Sequence, residues 1–117
     1  MLGITMAYTH YIKGNKFLNL EKGFKAITSD FDKYMFLKNC IDFVDDVHTF
    51  SVYDTDNPIT FKGKEWVSIS VRYHIYDGGK YRITLNDKSW SICDLLECTV
   101  TYDELIELAK QMLLIKY

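Results

Sequence analysis

Residues 66–76, WVSISVRYHIY, and 80–86, KYRITLN, alternate apolar and polar side chains on either side of Asp77-Gly78-Gly79. A period of two is the signature of a half-buried strand, and the glycines supply the positive φ that a tight connection needs. Val67, Ile69, Val71, Tyr73 and Ile75 point to one face; Trp66, Ser68, Ser70, Arg72, His74 and Tyr76 point to the other. A hairpin closed by three residues keeps like faces together, with Ile75 opposite Tyr81, Tyr73 opposite Ile83 and Val71 opposite Leu85. A two-residue loop would set Ile75 against Lys80 or Arg82 instead. The second face then carries Tyr76/Lys80, His74/Arg82, Arg72/Thr84, Ser70/Asn86, Ser68/Lys88 and, where the register continues that far, Trp66/Trp90, a basic strip with aromatic ends.

Outward from this hairpin the chain reads as a mixture of strands and helices. Ile4 to Ile12 alternates loosely, and Gly14-Asn15 offers a turn into residues 16–20, which predicts a second hairpin. Residues 21–28 fit a short helix or a loop. Ser29 followed by Asp30 and Asp32 marks a helix start, where acids oppose the positive end of the helix dipole. Phe31, Tyr34, Met35, Leu37, Cys40, Ile41 and Val44 continue at helical spacing, and the helix is expected to end near Asp45-Asp46. Val47 to Tyr53 reads as a strand, residues 54–58 as a turn, and Ile59 to Phe61 as a short strand. Residues 91–100 fit either a strand or a helical turn. Thr101 with Glu104 forms a capping box ahead of a helix whose apolar stripe is Leu105, Leu108, Ala109, Met112 and Leu113. These elements predict an α+β protein, an antiparallel sheet of about four to six strands with two helices packed on one face. The helices should cover the Val67/Ile69/Val71 side and leave the basic side open.

A chain of 117 residues suffices for one domain, spanning 1–117, with a real core. Aromatic residues make up 15%, enough both to fill a sheet-rich core and to furnish a binding surface. The net charge of −2 supplies no global attraction to nucleic acid or membrane. The charge is nevertheless segregated: residues 1–27 sum to +3, 28–60 to −5, 61–92 to +3 and 93–117 to −3. The opening residues lack the basic start and apolar run of a signal peptide, and no stretch approaches a membrane span. Cys40, Cys93 and Cys98 are odd in number and lack metal-pair spacing, which suits a reducing cytoplasm, the expected location.

Little in the sequence points to catalysis. His10, His48 and His74 are far apart, and Cys93 and Cys98 have four residues between them and no second pair, so neither a metal nor another cofactor is expected. Cys40 and His48 could approach one another, yet Cys40 falls on an apolar helical stripe, where an inert thiol is the commoner case. Residues 54–57, DTDN, begin like a calcium loop, but Pro58 and Ile59 occupy the positions that need a ligand and a glycine. Phosphate-cradling glycine motifs are missing as well. The expectation is a protein that is not an enzyme.

Two surfaces remain as candidates for a partner. One is the hairpin face, with Trp66, Arg72, His74, Tyr76, Lys80 and Arg82; Trp, Tyr and Arg are enriched at interaction hot spots. The other is the acidic stretch with Asp45, Asp46 and Asp54, which lacks any Lys or Arg from 42 to 56 and reads either as a solvated rim or as a docking patch for a basic partner. The expected partner is a protein, including one that processes nucleic acid. Nucleic acid itself ranks second, because stacking surfaces of the RRM type carry rings where this strand carries Ser68 and Ser70. A homodimer closed by Leu113 to Tyr117 is a further expectation. Size, charge blocks and aromatic richness resemble those of small inhibitor proteins of phages and mobile elements, and of bacterial immunity proteins, in general character and without a shared motif.

Overall fold

A computed structural model of the chain describes residues 2–8, 18–45, 48–73, 80–87 and 95–117. Its strands are β1 (Leu2–Tyr8), β2 (Leu18–Asn19), β3 (His48–Asp54), β4 (Ile59–Phe61), β5 (Lys64–Trp66), β6 (Ser68–Tyr73), β7 (Tyr81–Asn86) and β8 (Leu95–Val100). Its helices are α1 (Glu21–Lys25), α2 (Asp30–Asp42) and α3 (Tyr102–Leu113). Six strands form one antiparallel sheet in the order β2-β1-β3-β6-β7-β8, while β4 and β5 pair separately in the connection between β3 and β6. The class is α+β, as the sequence predicts.

One face of the sheet is sealed by the helices. Ile4, Met6, Phe50, Val52, Ile69, Val71, Ile83 and Leu85 join Leu37, Cys40 and Ile41 of α2 and Leu105, Leu108, Ala109 and Met112 of α3 in a single core. Removing such side chains from water is what drives the helices onto this face, at about 1.5–3 kcal/mol for each large aliphatic residue. Both long helices start where the capping residues say. Ser29 Oγ accepts from the Asp32 N–H at 3.0 Å. Thr101 and Glu104 close the reciprocal box, Oγ1 accepting from the Glu104 N–H and Oε1 accepting from the Thr101 N–H. Of the ambiguous residues 91–100, Leu95–Val100 are a strand, β8, and 91–94 lie outside the described residues; the segment after β2 opens with the short helix α1. β1 and β2 pair antiparallel as expected; the turn at Gly14-Asn15 lies outside the described residues.

Three expectations need correction. First, α2 stops at Asp42, ahead of Asp45-Asp46. Phe43 is its C-cap, and Asp45 lies beyond it in the connection to β3, where it accepts the His48 N–H at 2.8 Å. Second, Phe31 and Met35 are exposed, not part of the buried stripe. Phe31 meets the Tyr117 ring edge-on at 5.2 Å, and Tyr34 lies 5.0 Å from the same ring, so the C-terminal residue flanks them without burying them. The C-terminal segment itself divides: Leu113 and Ile115 enter the protein's own core, while Leu114 and Tyr117 face outward.

The third correction concerns the deciding hairpin. β6 and β7 pair as Ser68↔Asn86, Ile69↔Leu85, Ser70↔Thr84, Val71↔Ile83, Arg72↔Arg82 and Tyr73↔Tyr81. This register differs by two residues from the three-residue-loop pairing. Burial fixes only the parity of a strand pair, because side chains repeat every two residues, so a two-residue slip leaves the same residues on the same faces. The expected cross-strand partners change, however, and residues 74–79 of the connection lie outside the described residues.

Candidate binding face

The face turned away from the helices is lined by three cross-strand rows. Arg72, Arg82 and Thr99 form one; Thr5, Ser51, Ser70, Thr84 and Glu97 form the second; Gly3, Tyr53, Ser68, Asn86 and Leu95 form the third. On β1, β3, β6 and β7 these residues alternate with buried neighbours, and on β8 with half-buried Leu96 and Cys98 and buried Val100, which is why the set falls on one side. Among the described elements, no helix lies across it. The hydroxyls are tied laterally: Ser51 Oγ and Ser70 Oγ are 3.1 Å apart, and Asn86 Nδ2 donates to Ser68 Oγ at 3.1 Å. Tyr53 lies over Gly3, so closely that a Cβ there would come within 2.7 Å of the ring. Glycine at position 3 is what allows an aromatic ring to settle on the sheet.

The arginines are the centre of this face. They are the only two in the chain, against twelve lysines, and the register sets them directly opposite one another. Thr49, Ser70, Val71, Arg72, Arg82 and Thr84 line an open depression of about 200 Å³. Arg82 also borders a second hollow of about 320 Å³ with Glu97, Cys98 and Thr99. Both are clefts in a surface, not enclosed chambers.

Not every residue expected at a partner surface is found on one. Trp66 is 5% exposed and belongs to the core. The alternation breaks between Trp66 and Val67, which are consecutive and both buried. Val67 still bonds to the main sheet, its N–H donating to Asn86 O and its O accepting from the Asp54 N–H, both at 2.8 Å. Trp66 pairs instead with Ile59 of β4, and its indole Nε1 donates to Phe61 O at 2.9 Å. The β4–β5 hairpin turns through Lys62 and Gly63, both at positive φ, and so swings the indole off the open face and into the core. Lys64 caps the indole, Nζ 5.0 Å from the ring centroid, and pairs with Asp87 at 3.2 Å.

Asp54 is also withdrawn from the surface, at 4% exposure on the helix-covered side of β3. Burial alone would raise its carboxyl. Hydrogen bonds from Asn57 Nδ2 at 3.0 Å and the Asp56 N–H at 2.9 Å outweigh that, and its pKa lies below the ordinary value. It closes the turn into β4. Asp45 stays exposed and braces the α2–β3 connection, its Oδ1 lying 2.8 Å from His48 Nδ1. Lys80 is exposed just ahead of β7; its charge adds to the Thr101 hydrogen bonds that hold the Glu104 carboxyl low, which places it towards the start of α3. His74, Tyr76 and Asp46 lie outside the described residues, as do Cys93 and Trp90.

The Cys40 thiol is buried, and the His48 imidazole has partners of its own. Burial pushes the Cys40 thiol up to about 11, so it stays protonated at neutral pH. His48 meets Asp45 and the Phe43 ring, whose centroid is 4.7 Å from its own. Among the described residues, no cluster of three His, Cys, Asp or Glu could hold a metal, and no helix is long and apolar enough to cross a membrane. Thr49, Ser51 and Tyr53, on β3, are among the residues of the face that the hairpin alone could not reveal. Their alternation with Phe50 and Val52 was readable, but not that β3 lies beside β6.

Comparison with known protein families, with characterised proteins and with solved structures gives no match.

Proposed function

We propose that this protein works by binding a protein partner through the open sheet face, as a stoichiometric inhibitor or neutraliser and not as a catalyst. The observation that supports this best is the cross-strand pair Arg72/Arg82, set among hydroxyls on a face that no described helix covers. Arginine on a wet polar surface is a typical anchor of protein interfaces, because its planar fork holds carboxylates in fixed geometry. The partner surface that suits it is acidic. With Trp66 in the core and Asp54 in its own turn, the contact residues of this reading are Arg72, Arg82, Tyr53, Ser70 and Thr84.

Tyr53 favours a second reading, single-stranded nucleic acid, since a ring laid on a sheet can stack with a base. It ranks lower because Tyr53 is the only ring described on this face and Glu97 sits among the cations. Capture from a lysate with the tagged protein, with and without nuclease, separates the two. A protein retained after nuclease by the native chain but lost with Arg72→Ala/Arg82→Ala supports the first reading. Retention that disappears with nuclease, or that ignores the arginine changes, defeats it.

A further inference from the structure

We propose that the outer edge of β8 takes up an extended, basic segment of a protein partner as an added strand of the sheet. The two ends of the sheet differ. One closes on the two-residue β2, whereas the other presents the six residues of β8, with none of the described strands beyond it. In an antiparallel ladder alternate residues turn both backbone groups to one neighbour, and the residues between turn theirs to the other. That alternation is fixed here by bonds at both sides of β3. The Asp54 N–H donates to Val67 O at 2.8 Å, in line with the β3–β6 register, and the Leu20 N–H donates to Ile4 O at 3.0 Å, in line with the β1–β2 register. Each requires Ile69 and Val71 to bond to β3, and so Ser68, Ser70 and Arg72 to bond to β7. Across β7, the bonds of β8 to the sheet then belong to Leu96, Cys98 and Val100. Leu95, Glu97 and Thr99 turn their N–H and C=O groups outward, and no described residue takes them up.

The side chains define what fits beside them. Leu95, Glu97 and Thr99 are all exposed on the open face, Leu95 at 60%, while Leu96 and Cys98 are half-buried on the covered one. Glutamate is depleted in strands, and the Glu97 carboxylate has no hydrogen bond or ion pair among the described residues. A second copy of this chain does not complement it. The self-pairing that uses all three outward residues sets Glu97 against the same residue of the copy, and like charges directly opposite are destabilising. A lysine or arginine opposite Glu97 is favourable instead, with apolar side chains at the alternate positions to cover Leu96 and Cys98. Main-chain bonds would hold such a segment, and its alternate side chains would select it. The edge is thus a surface distinct from the arginine pair, and it recognises the opposite charge.

The test is an NMR titration of the full chain with the capped peptide Thr-Val-Lys-Val-Leu and with its counterpart carrying glutamate in place of lysine. In the free protein the Glu97 and Thr99 amides should exchange rapidly with deuterium, and those of Cys98 and Val100 slowly. The lysine peptide should shift the Leu95, Glu97 and Thr99 amides saturably and slow their exchange. It should bind about threefold or more tighter than the glutamate peptide, and Glu97→Lys should reverse that order. Methylating the lysine and leucine nitrogens of the peptide, which face the edge, should abolish binding; methylating the valine nitrogens should not. Thr99→Pro, which removes an outward donor and spares the bonds to β7, should weaken binding by about fivefold. Protected Glu97 and Thr99 amides in the free chain, no saturable shift, or equal binding of the two peptides overturns the proposal. Indifference to which nitrogens are methylated overturns it as well, as do shifts centred on Ser70 and Arg72 instead of β8.

Discussion

Ile69, Val71, Ile83 and Leu85 on β6 and β7 are at most 1% exposed, whereas Ser70, Arg72, Arg82 and Thr84, interleaved with them on the same strands, face outward. The covered face tolerates no slip of one residue, because every apolar side chain would then turn to water. It is indifferent to a slip of two. Val71 opposite Ile83 and Val71 opposite Leu85 bury the same atoms, yet only the first sets Arg72 against Arg82. Stability is thus settled on one face, while the chemistry of the other depends on a register that burial leaves undecided. The Val67 N–H to Asn86 O bond, beside the sheet switch at Trp66, is one contact that pins that register.

The largest test of this division is Trp66→Ala. If the indole belongs to the covered side, its loss should cost about 3–5 kcal/mol, read as a lower urea midpoint, and should leave partner capture by the folded variant nearly unchanged. A variant that keeps its stability but loses its partner would return Trp66 to the open face and break the comparison.

Asp54 sharpens it from the other direction, as the one charged residue buried among those described. Its folded pKa is lowered against about 3.9 in the unfolded chain. Its contribution is therefore fully present above about pH 4 and is lost as pH falls through the folded value. Asp54→Asn should cost about 1–3 kcal/mol at pH 7 and flatten the acid limb of the stability curve. Urea titrations at neutral and acid pH check both effects; an unchanged acid limb would show that the carboxyl does not carry it.

The parts of the fold legible in the sequence were those set by local chemistry or by parity. Ser29 and Thr101 announced their helices because a capping side chain acts within three residues. The α3 stripe was readable because all five residues of it are buried on one side. Trp66 was misplaced because alternation says nothing about a strand that changes sheets, although Lys62-Gly63 ahead of it carries the signal of a tight hairpin turn. Phe31 and Met35 were misplaced because helical spacing gives a stripe's direction and not its width. The arginine pair was out of reach for a deeper reason: it needs the absolute register, which depends on neighbours distant in sequence.

Arg72→Ala should have the smallest effect on stability, within about 0.5 kcal/mol of the native chain, and the largest on binding. Arg72 is exposed, so its truncation removes no core packing and the midpoint of thermal unfolding should stay close to the native one. Capture of the partner by the tagged chain should nevertheless be lost with the same variant. If Arg72→Ala instead lowers the midpoint and leaves partner capture intact, the guanidinium is a structural brace. The open face would then have been shaped, like the covered one, for stability.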